Sequence, residues 1–249
     1  MSRSVLFIFM ALFFSTITLH NAAAQTVLID SGHNERFKIE EKGPLHLSGF
    51  AEILQAAGAR IEVLSEPISD KSLESADSLI ISGAFAPLKP AEVEAVVRFM
   101  QRGGKLAIML HIAPPLKSLL DRLKISYTNG VILEDENVID NVNLNFRVNR
   151  FGNHPVLQGV NSFSLYGAWG LINQDESARV IASTSPIAWI DLDRSKIKKK
   201  ETTGSFGVMI AGDLGNGGFL VFGDDAIFQN KFLDENNKAL AVNLANWLK

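Results

Sequence analysis

Short apolar runs alternate with amphipathic stretches along the first half of the chain, and that alternation leaves few folds open. Val27–Asp30, Arg60–Leu64, Ser78–Ser82 and Lys105–Leu110 are each short and rich in Val, Ile and Leu. Between them, Leu45–Ala57 places Leu45, Phe50, Ile53 and Leu54 near helical spacing, and Gly58 is a natural stop. Pro90 opens a further helix, with Val93, Val96, Val97 and Met100 on its inner stripe and Gly103-Gly104 at its end. Leu116–Leu123 is a short helix on the far side. Short apolar runs between such helices are strands covered on both faces, which is the signature of parallel pairing. With right-handed crossovers the expectation is an α/β fold: a flavodoxin-like, doubly wound, mostly parallel sheet with helices on both faces.

The second half is less regular. Ile125–Thr128, Asn145–Val148 and Phe163–Tyr166 are β-like pieces with Asn- and Gly-rich connections, and Ala178–Ser183 and Ala188–Leu192 look like strands. Gly207–Ala211 and Gly218–Phe222 flank an Asn216-Gly217 pair, which predicts a C-terminal antiparallel hairpin. Asn237–Leu248 is a closing helix with Leu240, Leu244, Trp247 and Leu248 on one face. The polar segment Asp193–Ser205 carries Lys198-Lys199-Lys200 and reads as a solvated loop, with an anionic-surface contact as the alternative.

Residues 1–24 have a different character. Met1–Ser4 carries the positive Arg3, Val5–Leu19 is apolar, and Ala22-Ala23-Ala24 is an A-x-A cleavage pattern. The apolar run falls short of the ~20 residues that cross a bilayer. The expectation is a signal peptide over 1–24, an exported (periplasmic or secreted) protein, and one domain over 25–249 with no membrane span after cleavage. The chain carries a formal charge of −3, which argues against a general nucleic-acid binder. It contains no cysteine, so a thiolate metal site, a lipidated cysteine and a cysteine nucleophile are all excluded.

Ligands of open α/β sheets bind outside the carboxyl ends of the strands. The first strand runs into Asp30, Ser31, His33, Asn34 and Glu35, and the strand at Gly218 runs into Asp224-Asp225. Asp30 and His33 can share a proton or a metal, or Asp30 can simply bind its own turn. Two adjacent carboxylates point different ways, so one of Asp224 and Asp225 holds the turn or pairs with a base while the other faces the crevice. His111 follows the fourth strand, where a packed histidine and a site histidine are both readings of the sequence. His46 lies on the first helix and His154 in a His-Pro turn. No H-E-x-x-H, G-x-S-x-G or Walker pattern is present, so no metal and no cofactor are expected.

Four segments carry a family resemblance: VLIDSGHNERF from Val27, SLIISGAFAPLKPAEVEAVVRFMQRGGKLAIML from Ser78, NHPVLQGV from Asn153, and GFLVFGDDAIFQNKFLDENNKALAVNLANWL from Gly218. Together they resemble the class I glutamine amidotransferase-like superfamily. The branch is an uncharacterised prokaryotic domain of unknown function, similar to the intraflagellar-transport and gliding-motility (GIFT) domain. The resemblance implies a flavodoxin-like fold. Working members place a nucleophilic cysteine after the strand that is here Lys105–Leu110, and this chain has Leu110-His111-Ile112 there. Gly83-Ala84 resembles the turn that shapes an oxyanion hole, but there is no nucleophile for it to serve.

The leading expectation is therefore a non-catalytic binding or interaction domain. Its crevice is lined by Asp30, Ser31, His33, Asn34, Glu35, Gly83, His111, Asp224 and Asp225, and it takes a small polar ligand or a protein partner. The helix from Pro90 and the loop Asp30–Phe37 would supply partner surfaces. The rival is a hydrolase that activates water with a carboxylate–histidine pair, or a metal, drawn from the catalytic candidates Asp30, His33, His111 and Asp224. A purely structural accessory domain is the third reading.

Overall fold

The computed structural model describes residues 24–249, so the expected signal peptide lies outside the described residues apart from Ala24. The described residues begin with β1 (Thr26–Asp30), α1 (Ser48–Ala56), β2 (Arg60–Leu64), β3 (Ser78–Ser82), α2 (Pro90–Gln101) and β4 (Lys105–Met109). After α3 (Lys117–Arg122) come β5 (Ile125–Leu133), β6 (Val138–Ile139), β7 (Val142–Val148), β8 (Arg150–Phe151) and β9 (Phe163–Tyr166). They are followed by β10 (Trp169–Asn173), β11 (Ala178–Ser183), β12 (Trp189–Ile190), β13 (Gly207–Leu214), β14 (Gly217–Phe222) and α4 (Glu235–Trp247).

The architecture is mixed α/β. An 11-stranded sheet runs in the order β12-β5-β10-β13-β14-β4-β3-β1-β2, with β11 branching from β13 and β8 pairing with β11. Its parallel block is β2-β1-β3-β4-β14. Beyond β14 every pairing is antiparallel, so the parallel share is smaller than a mostly parallel sheet. The irregular middle of the sequence supplies that antiparallel extension, together with a separate β6-β7-β9 sheet.

Alternation along the parallel strands explains their continuous apolar runs. Val27 and Ile29, Ile80, Ala107 and Met109, and Leu220 and Phe222 point to one side, where they meet Phe50 and Leu54 of α1 and Leu240 and Leu244 of α4. Leu28, Leu79 and Ile81, Leu106 and Ile108, and Phe219 and Val221 point to the other, against Val93, Val96 and Phe99 of α2 and Leu119 and Leu120 of α3. β1, β3, β4 and β14 are buried on both faces, so their middles are apolar and no period-2 pattern survives, while the edge strand β2 stays partly exposed.

Two boundaries differ from the sequence reading for tertiary reasons. Helix α1 starts at Ser48, three residues after the expected Leu45, because Pro44 to His46 are held by the distant segment Asn230-Lys231. The Asn230 Oδ1 accepts from Gly49 N at 2.8 Å, and its Nδ2 donates to Gly43 O and Ser48 Oγ. The β13–β14 connection is Gly215-Asn216, since Leu214 pairs with Gly217. Gly217 is needed for close approach instead: a Cβ there would lie 2.1 Å from Gly104 O.

Candidate functional site

The carboxyl ends of β1, β3, β4 and β14 lie side by side, and the loops that leave them carry almost every polar group singled out from the sequence. The first loop folds tightly on itself. Asp30 Oδ1 accepts from Gly32 N at 3.2 Å, and Oδ2 lies 2.6 Å from His33 Nδ1. Asn34 takes φ +63°, a left-handed turn that Asn tolerates, which brings Glu35 back so that its Oε2 accepts from His33 N at 2.8 Å. The side chain of Asn34 stays exposed.

His33 is thereby locked. Its Nε2 lies 3.2 Å from Glu92 Oε1, and its carbonyl accepts from Phe85 N and Ala86 N. Glu92 is itself fixed in the first turn of α2, accepting from Lys89 N and Ile68 N. Both ring nitrogens of His33 face carboxylates, which favours the imidazolium form. Burial pulls its pKa down, but the Asp30 hydrogen bond and the charges of Asp30, Glu92 and Glu35 outweigh that and leave it raised. Glu35 shows the complementary effect. Burial first, and the neighbouring Asp30 charge second, push its carboxyl up to about 7. Its Oε1 has no protein partner. The raised value favours the neutral acid, which eases the placing of two carboxyl groups in one buried turn.

Asp30, His33 and Glu35 can place one donor atom each within 4.8 Å of one another. Both imidazole nitrogens already face carboxylates, Asp30 and Glu92, an arrangement suited to sharing protons. Beside it, Asp30, Glu35, Lys38 and Ser82 border a void of about 10 Å³, the threshold for one ordered water. The Ser82 hydroxyl is buried there without a protein partner. Ser31 is tied to Lys38, whose Nζ donates to Ser31 Oγ at 2.7 Å.

A second cluster stands at the ends of β4 and β14. His111 Nδ1 is 3.0 Å from Asp225 Oδ1. The Asp225 carboxylate is buried while the imidazole is 38% exposed. The ring sits between Phe37 and Phe85, with centroid separations of 5.1 and 5.0 Å. Arg36 stacks on the outer face of Phe85 at 4.7 Å. The hydrogen bond that Asp225 accepts from the imidazole raises the His111 pKa above its ordinary value, against the opposing effect of burial. Gly83 makes this possible. Its φ is +68°, and a Cβ would lie 2.5 Å from Asp225 Oδ2.

Asp224 is turned inward. Its oxygens accept from Tyr166 N at 2.5 Å and Ala226 N at 2.9 Å, so it ties the end of β14 to β9. Burial, then the Asp225 charge, push its carboxyl up to about 7. The adjacent acids therefore divide their work: Asp224 holds the turn and Asp225 backs the histidine. His46 accepts from Lys38 N and meets Glu41, outside both clusters. His154 caps a turn by accepting from Val156 N, and burial lowers its pKa.

Glu92, Ser82 and Phe85 were not singled out from the sequence, and Arg36 and Phe37 entered only as part of the loop Asp30–Phe37, not as the surround of His111. An acid two residues after the helix-opening Pro90 was the available signal for Glu92, since such acids commonly bind the helix start. The others depend on which strands become neighbours. Chemically, the first cluster holds protons in place and exposes none of its acids. The second presents one imidazole nitrogen, Nε2, at the surface.

Solved structures resemble this fold at low identity. The mmIFT52 N-terminal domain aligns with a TM-score of 0.71 and 16% identity, covering 89% of this chain and 96% of that one. A ThuA-like protein from Bacteroides uniformis aligns at 0.53 and 16% identity, covering 94% and 95%. A cytoplasmic protein from Salmonella typhimurium LT2 aligns at 0.55 and 14% identity, covering 90% and 99%. These likenesses concern the fold alone. No curated protein matches the chain. Residues 40–245 match a family model, a span that holds Gly83, Glu92, His111 and the Asp224 pair and begins after the Asp30–Glu35 loop. The chain belongs to the family described as Domain of unknown function (DUF4350).

Proposed function

We propose that this protein is an exported, non-catalytic interaction domain of the glutamine amidotransferase-like fold, doubly wound in the flavodoxin manner and related to the GIFT branch. The likenesses to the mmIFT52 domain and to a ThuA-like protein support the fold assignment, and the absent cysteine supports the lack of amidotransferase chemistry. The observation that carries the reading is that the crevice is filled. Small-molecule pockets run to several hundred Å³, whereas the void beside Asp30 and Glu35 is about 10 Å³. His33 has both nitrogens engaged, and Phe37 and Phe85 flank the partly exposed His111. What remains for recognition is an outer surface of Arg36, Phe37, Phe85 and His111, suited to a protein partner.

A thermal-shift screen of sugars and amino acids tests this reading, because a ligand that binds the folded state raises Tm. No shift is expected. A clear rise that disappears in His111→Ala would replace the partner reading with a small-ligand one. Export is tested by N-terminal sequencing of the protein recovered from its native cell, which should begin at Gln25.

One observation favours a second reading. Asp225–His111 has the geometry of an oriented general base, with Nε2 facing outward. Hydrolysis of an ester, amide or phosphoester that is abolished in Asp225→Asn would establish it, and an unchanged rate in that variant would remove it.

A further inference from the structure

The loop after β12 combines three features that its sequence alone presented as an ordinary polar turn. First, it is a constructed tip. Asp191 accepts from Ser195 N and Lys196 N, both at 3.0 Å, and Ser195 Oγ accepts from Ile197 N. Arg194 and Lys196 take φ of +58° and +59°. Left-handed non-glycine residues are held only when surrounding contacts impose them, and they gather at functional sites. The Asp191 carboxylate is occupied in doing so.

Second, the tip presents aliphatic surface. Leu192 at 55% and Ile197 at 65% are the most exposed large apolar side chains among the described residues. They border the same groove, of about 190 Å³, together with Ile190. Third, residues 191–201 carry excess positive charge, five cations (Arg194, Lys196, Lys198, Lys199 and Lys200) against three acids (Asp191, Asp193 and Glu201), although Asp193 and Glu201 also line the groove. Lys198 pairs with Asp135 and Lys199 with Asp193, which leaves Arg194, Lys196 and Lys200 without a carboxylate partner among the described residues. These cations belong to a chain whose formal charge is −3, so the positive charge is local.

We propose that the tip Leu192–Lys200 is a docking surface for an anionic lipid bilayer. Aliphatic side chains entering the acyl boundary while Lys and Arg meet anionic headgroups is the physical basis of interfacial binding. A nucleic acid would satisfy the cations but leave Leu192 and Ile197 unmatched, and residues 192–205 contain no aromatic side chain on which a base could stack.

Co-sedimentation of the full chain, from Gln25 onward, with phosphatidylcholine vesicles with and without phosphatidylglycerol tests the proposal. Binding to the anionic vesicles alone is expected, and added salt should weaken it. The variant Arg194→Gln/Lys196→Gln/Lys200→Gln should lose about fivefold in binding constant per cation. Leu192→Ser/Ile197→Ser should also reduce binding, with Tm unchanged in both variants. Equal binding to both vesicle types, no binding to either, retention of full binding in both variants, or tighter binding to a DNA oligonucleotide than to the anionic vesicles would overturn it.

Discussion

Glu35 illustrates how a single buried proton sets local energetics. The unfolded chain releases this proton near pH 4.5, whereas the folded chain keeps it to about 7. Between those values the folded state binds more protons, so stability falls as pH rises. Glu35→Gln keeps the neutral shape and can still accept from His33 N. At pH 8 it should be more stable than the parent by up to about 3 kcal/mol, and near pH 5 indistinguishable from it. Parallel Tm–pH profiles of the two proteins would refute this account. Gly83 is the second decisive residue. Gly83→Ala forces an unfavourable φ and drives a methyl group into Asp225, costing about 3 kcal/mol in urea denaturation. It should also lower the His111 pKa, read by NMR titration of the imidazole, because the Asp225 hydrogen bond is displaced.

At the scale of elements, the strands and helices of the parallel block were legible because their apolar runs and glycine stops are local signals. Ser78–Ser82 and Ala178–Ser183 fall where the sequence put them, and Lys105–Met109 differs by one residue. Helix α1 was not legible at its start, since its cap comes from residue 230. Asn230→Ala should remove that cap and cost about 1–2 kcal/mol, seen as a lower urea midpoint at unchanged m. Helix α4 shows the contrast. Asp234 accepts from Asn236 N and Asn237 N, a local cap. Inside that helix, Asn237 is fully buried and bonds Ser164 N, Ser164 O, Ile227 O and Phe232 O. A polar residue on an otherwise packed face gave no hint that four backbone groups would converge on it.

Over the whole molecule, four perturbed groups in the two clusters act in one direction, while burial lowers His154 and Lys105. His33, His111, Glu35 and Asp224 all have raised pKa values, so the stability each contributes is fully present below its unfolded value and is lost as pH rises through its folded value. Asp70, Glu94, Asp135, Asp175 and Asp193 are lowered by their partners, and their contribution fades as pH drops below about 4. Those pairs are largely exposed and individually small. Tm should therefore peak near pH 5 and decline through pH 8. A maximum at pH 8 would show that the buried acids are ionised in the folded state.

The chain by itself determined the strands and helices of the parallel block, because hydrophobic runs, glycine stops and proline starts act over a few residues, whereas Trp169–Asn173, a strand inside the sheet, was not read from it. It also determined that no thiol chemistry is possible, and that polar groups leave the carboxyl ends of β1, β4 and β14. Tertiary structure alone decided how those groups divide. Asp224 and Asp225 are neighbours in sequence, yet one binds backbone of β9 and the other a histidine 114 residues away. Hydrogen bonds and pKa values follow from burial and through-space distance, and neither quantity exists until the sheet has set strand order.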